Sequence, residues 1–123
     1  MKQLVLAAVL TASGMATVAA AQQPGDWVLS QWRGSAQYFP GVVQSRHGNL
    51  VNIRFDDGTI DAVPANRIRP YDWQVGSRIE CRWTDGSWYA AVITRMGNDG
   101  SSITVRYEDG VVQNTATGRC RSS

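Results

Sequence analysis

From Gln22 onward the apolar residues do not recur at helical spacing; they alternate with polar ones in short runs. Ile79, Cys81 and Trp83 alternate with Arg78, Glu80 and Arg82, and Ile103, Val105 and Tyr107 with Thr104 and Arg106. Successive side chains of a strand point to opposite faces, so each run puts its apolar members on one side, as in a half-buried strand. Between the runs stand His47-Gly48-Asn49, Asp57-Gly58, Asp85-Gly86, Asn98-Asp99-Gly100 and Asp109-Gly110. These combinations accept the positive φ of tight hairpin turns. The pattern predicts an all-β meander of short antiparallel strands.

The meander occurs twice. The block Gly25-Asp26-Trp27-Val28-Leu29-Ser30-Gln31-Trp32 aligns with Gly76-Ser77-Arg78-Ile79-Glu80-Cys81-Arg82-Trp83. Tyr38-Phe39-Pro40-Gly41-Val42-Val43 aligns with Trp88-Tyr89-Ala90-Ala91-Val92-Ile93, and Val51 to Gly58 with Ile103 to Gly110. Each block returns about fifty residues on, in the same order, and the small drift in offset lies in the turns. The expected division is a first unit over 22–70, a linker over 71–75 that carries Tyr71 and Trp73, and a second unit over 76–123. Two aromatics in so short a linker predict that the units pack as a pair.

The first 21 residues follow a different rule. Lys2 precedes an apolar run from Leu4 to Leu10, and small residues follow, ending in Ala19-Ala20-Ala21. This is the pattern of a secretory signal peptide, with cleavage expected after Ala21; the apolar run is too short and Ala-rich to span a bilayer. The expectation is a periplasmic or secreted protein with no membrane span after cleavage. No Cys follows the cleavage point closely enough to take a lipid anchor.

Without Lys2 the chain has eleven Arg against ten acidic residues, interleaved rather than sorted into blocks. A duplex-binding domain concentrates its basic residues on one face, so this distribution argues against nucleic acid as a partner. The single His, His47, sits in a turn of the first repeat. There is no Ser in a nucleophile-elbow sequence and no His/Cys/carboxylate cluster at metal spacing. Asp56-Asp57 and Glu108-Asp109 are neighbours along the chain, and neighbours in a strand or turn point apart. The chain is expected to be a binding module and not an enzyme, with no cofactor and no metal.

The repeated order of a Gly, an alternating strand ending in Trp, an aromatic pair, a β-branched pair and an aromatic-acidic-Asp-Gly turn resembles the Tudor and agenet family, in tandem. The resemblance implies two small SH3-like barrels of four or five strands. Readers of methylated lysine or arginine in that family form an aromatic cage closed by an acidic residue. A methylated ammonium has few N–H donors and is held by the negative faces of aromatic rings. By position, the first cage would be Trp32, Phe39, Phe55 and Asp57, and the second Trp83, Tyr89, Tyr107 and Asp109. Thr59 and Val111 stand where the readers often carry a further aromatic, so each cage would lack a wall. In barrels of this kind the first and last strands are neighbours, which would let Cys81 and Cys120 form a disulfide within the second unit.

The same aromatics also suit two other roles. A barrel this small needs large side chains to fill its core, and by that account Asp57 and Asp109 only shape their turns. A groove lined by Tyr38, Trp88 and Arg residues would suit a module that holds peptidoglycan or a protein of the cell envelope. The expected partner is thus a small cationic ligand or an envelope protein.

Overall fold

The computed structural model describes residues 22–32 and 34–123. The expected signal peptide, residues 1–21, lies outside the described residues. Among the described residues ten strands form two five-stranded antiparallel sheets. The first contains β1 (Trp27–Gln31), β2 (Tyr38–His47), β3 (Leu50–Phe55), β4 (Ile60–Pro64) and β5 (Ile68–Pro70), ordered β4-β3-β2-β1-β5. The second contains β6 (Arg78–Arg82), β7 (Trp88–Met96), β8 (Ser102–Tyr107), β9 (Val112–Ala116) and β10 (Cys120–Arg121), ordered β10-β6-β7-β8-β9. The two orders are the same order, which is the duplication seen in space.

Each sheet curls for a local reason. The register slips between Val43 and Ser45 in β2 and between Ile93 and Arg95 in β7. A bulge of this kind bends a strand and raises its twist. Each long strand thereby coils so that the last strand of the unit meets the first, β5 against β1 and β10 against β6. The alternation read from the sequence gives the cores. Ile79, Cys81, Ile103, Val105 and Tyr107 are all buried.

Cys81 and Cys120 face each other in the β6–β10 register and are joined by a disulfide, with Cα atoms 4.1 Å apart. The corresponding register pair in the first unit is Ser30 and Ile68. Ser30 is fully buried there and its hydroxyl has no hydrogen-bond partner.

The two units do not keep separate cores. β1 is buried on both faces: Val28 packs with Val43, Val51, Ile53, Phe55 and Val63 in the first core, whereas Leu29 packs into the second. Trp73 from the linker is buried in that second core too, with Tyr71 and Tyr38 packed against it. The linker aromatics thus pack where the repeats meet: Trp73 shares a core with Leu29 of β1 and the second sheet, and Tyr71 lies against it. Trp27, Tyr71 and Trp73 form a chain of ring contacts at 5.8 and 5.6 Å.

Hydrogen bonds fasten the junction. Tyr38 and Ser122 exchange both backbone bonds, at 2.6 and 2.9 Å, so the tail of the second unit extends onto β2 of the first. The Ser122 hydroxyl accepts from Trp73 Nε1 at 3.2 Å and from Arg69 at 3.3 Å. Thr117 donates its hydroxyl to Asp56 across the same junction. Gly118 lies so close that a Cβ there would come within 2.8 Å of the Asp56 carbonyl.

Candidate functional site

The turn chemistry of the second repeat delivers its aromatics to one place. β6 ends at Arg82, Trp83 follows, the Asp85-Gly86 turn reverses the chain, and β7 then carries Tyr89 opposite Cys81. Tyr107 ends β8 and is opposite Ala91. The Trp83 and Tyr107 rings are 5.6 Å apart and meet at 83°; the Tyr89 and Tyr107 rings are 6.4 Å apart and meet at 89°. Perpendicular neighbours make corners, so these three rings form adjoining walls rather than a stack.

They bound an open cleft of about 440 Å3, also lined by Asp85, Glu108, Asp109 and Val111. Tyr107 is the buried floor, at 7% exposure, and Tyr89 the open wall, at 45%. Trp83 lies between, packed on the second core by one side. Burial in the core and exposure to the cleft are therefore divided among the three rings.

The carboxylates differ in how they are held. Asp109 accepts the Val111 N–H through Oδ1 at 3.0 Å, which is turn chemistry, and Oδ2 has no hydrogen bond among the described residues. Asp85 accepts the Ser87 N–H at 2.9 Å and the Tyr89 hydroxyl at 2.7 Å. Glu108 makes only a long, exposed contact with Arg78, at 3.9 Å, and such pairs bind weakly. Among the described residues no Lys, Arg or His lines this cleft. Sequence reading placed Asp85 in a turn and no further. Its spacing to Tyr89, four residues across a tight hairpin, is the signal that could have found it.

The Asp85–Tyr89 contact moves both groups. The Ser87 N–H and the Tyr89 hydroxyl hold the Asp85 carboxyl below its ordinary 3.8, and the same bond raises Tyr89 above 10.0. A carboxylate so lowered contributes above its ordinary value and is lost as pH falls through its folded value. A phenol so raised contributes below its ordinary value and is lost as pH rises. The contact is therefore whole between pH 3.8 and 10.0. Burial, then the charges of Asp56 and Asp72, push Tyr71 up to about 12. Tyrosine difference absorbance on raising pH should thus show Tyr71 ionising last, near pH 12, after Tyr89 and Tyr107. A single transition of all tyrosines at pH 10 would contradict the packing.

The first repeat builds a similar aromatic frame with a different charge. Trp32 lies 6.3 Å from Phe39 and 6.4 Å from Phe55. These rings and Asp57 line one cleft, which opens toward the second repeat. Trp88 closes it through an edge contact with Phe39 at 6.2 Å, and Arg82, Arg119 and Arg121 join the lining. Asp57 is tied to its own turn, accepting from the Thr59 N–H at 3.0 Å and the Thr59 hydroxyl at 2.7 Å. One frame faces carboxylates and the other faces arginines. Of the expected envelope groove, Trp88 and the arginines meet here, while Tyr38 lies elsewhere, beneath the Arg69 guanidinium at 4.0 Å.

The fold agrees with the comparisons to known proteins. Residues 76–122 match the Agenet domain family. The crystal structure of the Crb2 tandem tudor domains is similar to this chain with a TM-score of 0.57 at 14% identity, covering 80% of this chain and 78% of that one. The AGDP1 AGD34 structure from Arabidopsis thaliana aligns over 87% of this chain and 88% of that one, at 16% identity and a TM-score of 0.41, too loosely to add to the comparison. No curated protein matches the chain. Domains of this kind are binding modules for methylated residues or peptides. Residues 76–122 match the Agenet family and the first unit repeats their strand order, so the chain has the fold of two tandem Tudor/agenet-like units.

Proposed function

We propose that the chain is a non-catalytic binding module whose second repeat holds a methylated or quaternary ammonium group between Trp83, Tyr89 and Tyr107. The observation that carries this reading is that Trp83 and Tyr89 each stand perpendicular to Tyr107 around a cleft whose charged lining, among the described residues, is acidic. Ring faces attract a cation that has lost its N–H donors, and carboxylates at the rim add Coulomb attraction. Asp85 stays ionised below the ordinary carboxylate range, so its attraction persists in mild acid. Val111 leaves the fourth side open, which fits weak, millimolar binding of a free ammonium and tighter binding when a flanking chain adds contacts. The first repeat is not assigned this ligand, because three arginines line its cleft.

Export belongs to the same proposal. Residues 1–21 have the pattern of a signal peptide, and a disulfide such as Cys81–Cys120 persists in oxidising compartments. The ligand is then a choline-like or betaine-like cation, or a methylated side chain of an envelope protein. Among the described residues no helix is long and apolar enough to cross a membrane.

Titration of intrinsic Trp fluorescence with tetramethylammonium and with trimethyl-lysine tests the proposal. Saturable quenching is expected for the parent. Trp83→Ala should abolish it, and Asp85→Asn should weaken it by about three- to tenfold while leaving the fold intact, the scale of one desolvated cation–π or charge contact. No response at millimolar ligand, or full response in folded Trp83→Ala protein, would sink the assignment.

A further inference from the structure

The cleft between the repeats reverses the electrostatics of its counterpart, and that reversal comes from residues far apart in sequence. Arg82 comes from the end of β6, Arg119 from the short 3-10 helix before β10, and Arg121 from β10 itself. Only the docking of the second repeat onto Trp32 and Phe39 brings them to the first repeat's aromatic frame. From this arrangement we infer that the inter-repeat cleft is a second binding site, which takes the carboxylate side chains of an acidic peptide.

The guanidiniums are arranged to present donors. Arg121 and Arg82 lie over the Trp88 ring at 4.2 and 5.4 Å. Stacking holds a guanidinium flat and leaves its N–H edge free, which is the geometry that grips a carboxylate with two parallel bonds. Arg121 spends its Nε on Glu80 at 2.9 Å, and its Nη groups have no hydrogen-bond partner among the described residues. Arg82 makes one long bond, Nε to the Gly86 carbonyl at 3.4 Å, and Arg119 is exposed, its charge also felt by Tyr107. The one carboxylate in the lining, Asp57, is held by Thr59. Three cations therefore face a cavity of about 390 Å3 whose other walls are largely aromatic. Such walls receive the aliphatic stem of a glutamate beside its charged end, and they distinguish a peptide from a bare inorganic anion. This site does not depend on the ammonium cleft, from which it differs in both lining and charge.

The test uses the full mature chain, with a blocked tetraglutamate peptide, its tetraglutamine counterpart and a single-stranded oligonucleotide of equal charge. Binding is read from Trp fluorescence and by calorimetry. The expected result is saturable binding of the glutamate peptide that weakens as salt rises, and none of the glutamine peptide. Arg82→Gln with Arg119→Gln should reduce it at least tenfold. Both side chains are exposed, so the fold should survive, and near-ultraviolet circular dichroism checks that it does. Tetramethylammonium should still bind at the other cleft in this variant, no more weakly than before, since the Arg119 charge that acts on Tyr107 opposes a cation there. No binding of the glutamate peptide at millimolar concentration, equal binding by the folded double variant, or tighter binding of the oligonucleotide would overturn the inference.

Discussion

Trp73→Ala is expected to cost about 4 kcal/mol, the range for deleting a buried Trp, and to uncouple the two repeats. Trp73 is 6% exposed and fills the second core, yet it reaches that core from the linker. Its loss opens a cavity between Leu29 of the first repeat and the second sheet, and leaves the Ser122 hydroxyl without the indole donor. A chain of this size has a total stability of about 5 to 15 kcal/mol, so the variant should be marginal. Urea denaturation should show an earlier and broader transition, since each repeat would then unfold with less help from the other. Trp73→Phe keeps a ring in the core but loses the Nε1 donor and part of the volume, so it should cost less than Trp73→Ala and more than the roughly 1 kcal/mol of the hydrogen bond alone. Replacing Tyr71 and Trp73 together with Ser should go further and let the repeats tumble independently in NMR relaxation. A Trp73→Ala variant within 1 kcal/mol of the parent would mean that the linker aromatics do not couple the units, against the burial on which the expectation rests.

Reduction of the Cys81–Cys120 disulfide should have an effect of similar size. The crosslink spans a sequence separation of 39, and constraining an unfolded loop of that length contributes about 4 kcal/mol in the chain-entropy account. The strand it secures has two residues. Beyond β10, the same segment pairs Ser122 with Tyr38, so the crosslink also anchors the tail that fastens the repeats together. The reduced protein should melt well below the oxidised one. Amide exchange at Tyr38 and Ser122 should accelerate before exchange in β7 and β8, because the short strand frays first. A C81A/C120A variant should reproduce the reduced behaviour. Equal melting of the two forms would show that β10 holds its place without the crosslink.

Much of this could be read directly from the chain. Ile79, Cys81, Ile103, Val105 and Tyr107 were placed on a buried face by alternation alone, because the pleat of a strand is a local rule with a period of two. The Asp-Gly pairs and His47-Gly48 marked the hairpins for an equally local reason, the positive φ that glycine accepts. Duplication was legible because each unit folds by its own short-range pairings, so aligned blocks became aligned strands. Trp83, Tyr89, Tyr107 and Asp109 meet at one cleft because hairpin register within a single repeat carries them there.

Contacts between the repeats were not legible, and they decide what the first cleft can bind. Position by position, Trp32, Phe39, Phe55 and Asp57 match the second repeat's set; the match contains nothing of Arg82, Arg119 and Arg121, which arrive when the second unit docks. Leu29 alternates like any strand residue, and only the open side of the neighbouring sheet makes its outward face a buried one. Asp56 and Asp57 are adjacent in the chain, but one bonds Thr117 of the other repeat while its neighbour caps its own turn. Periodicity and turn chemistry act over a few residues, so the sequence by itself determined the strands, the hairpins and the two similar aromatic frames. Electrostatic sign and shared burial depend on which distant surfaces meet, so only the tertiary structure decided that one frame is acidic and the other basic.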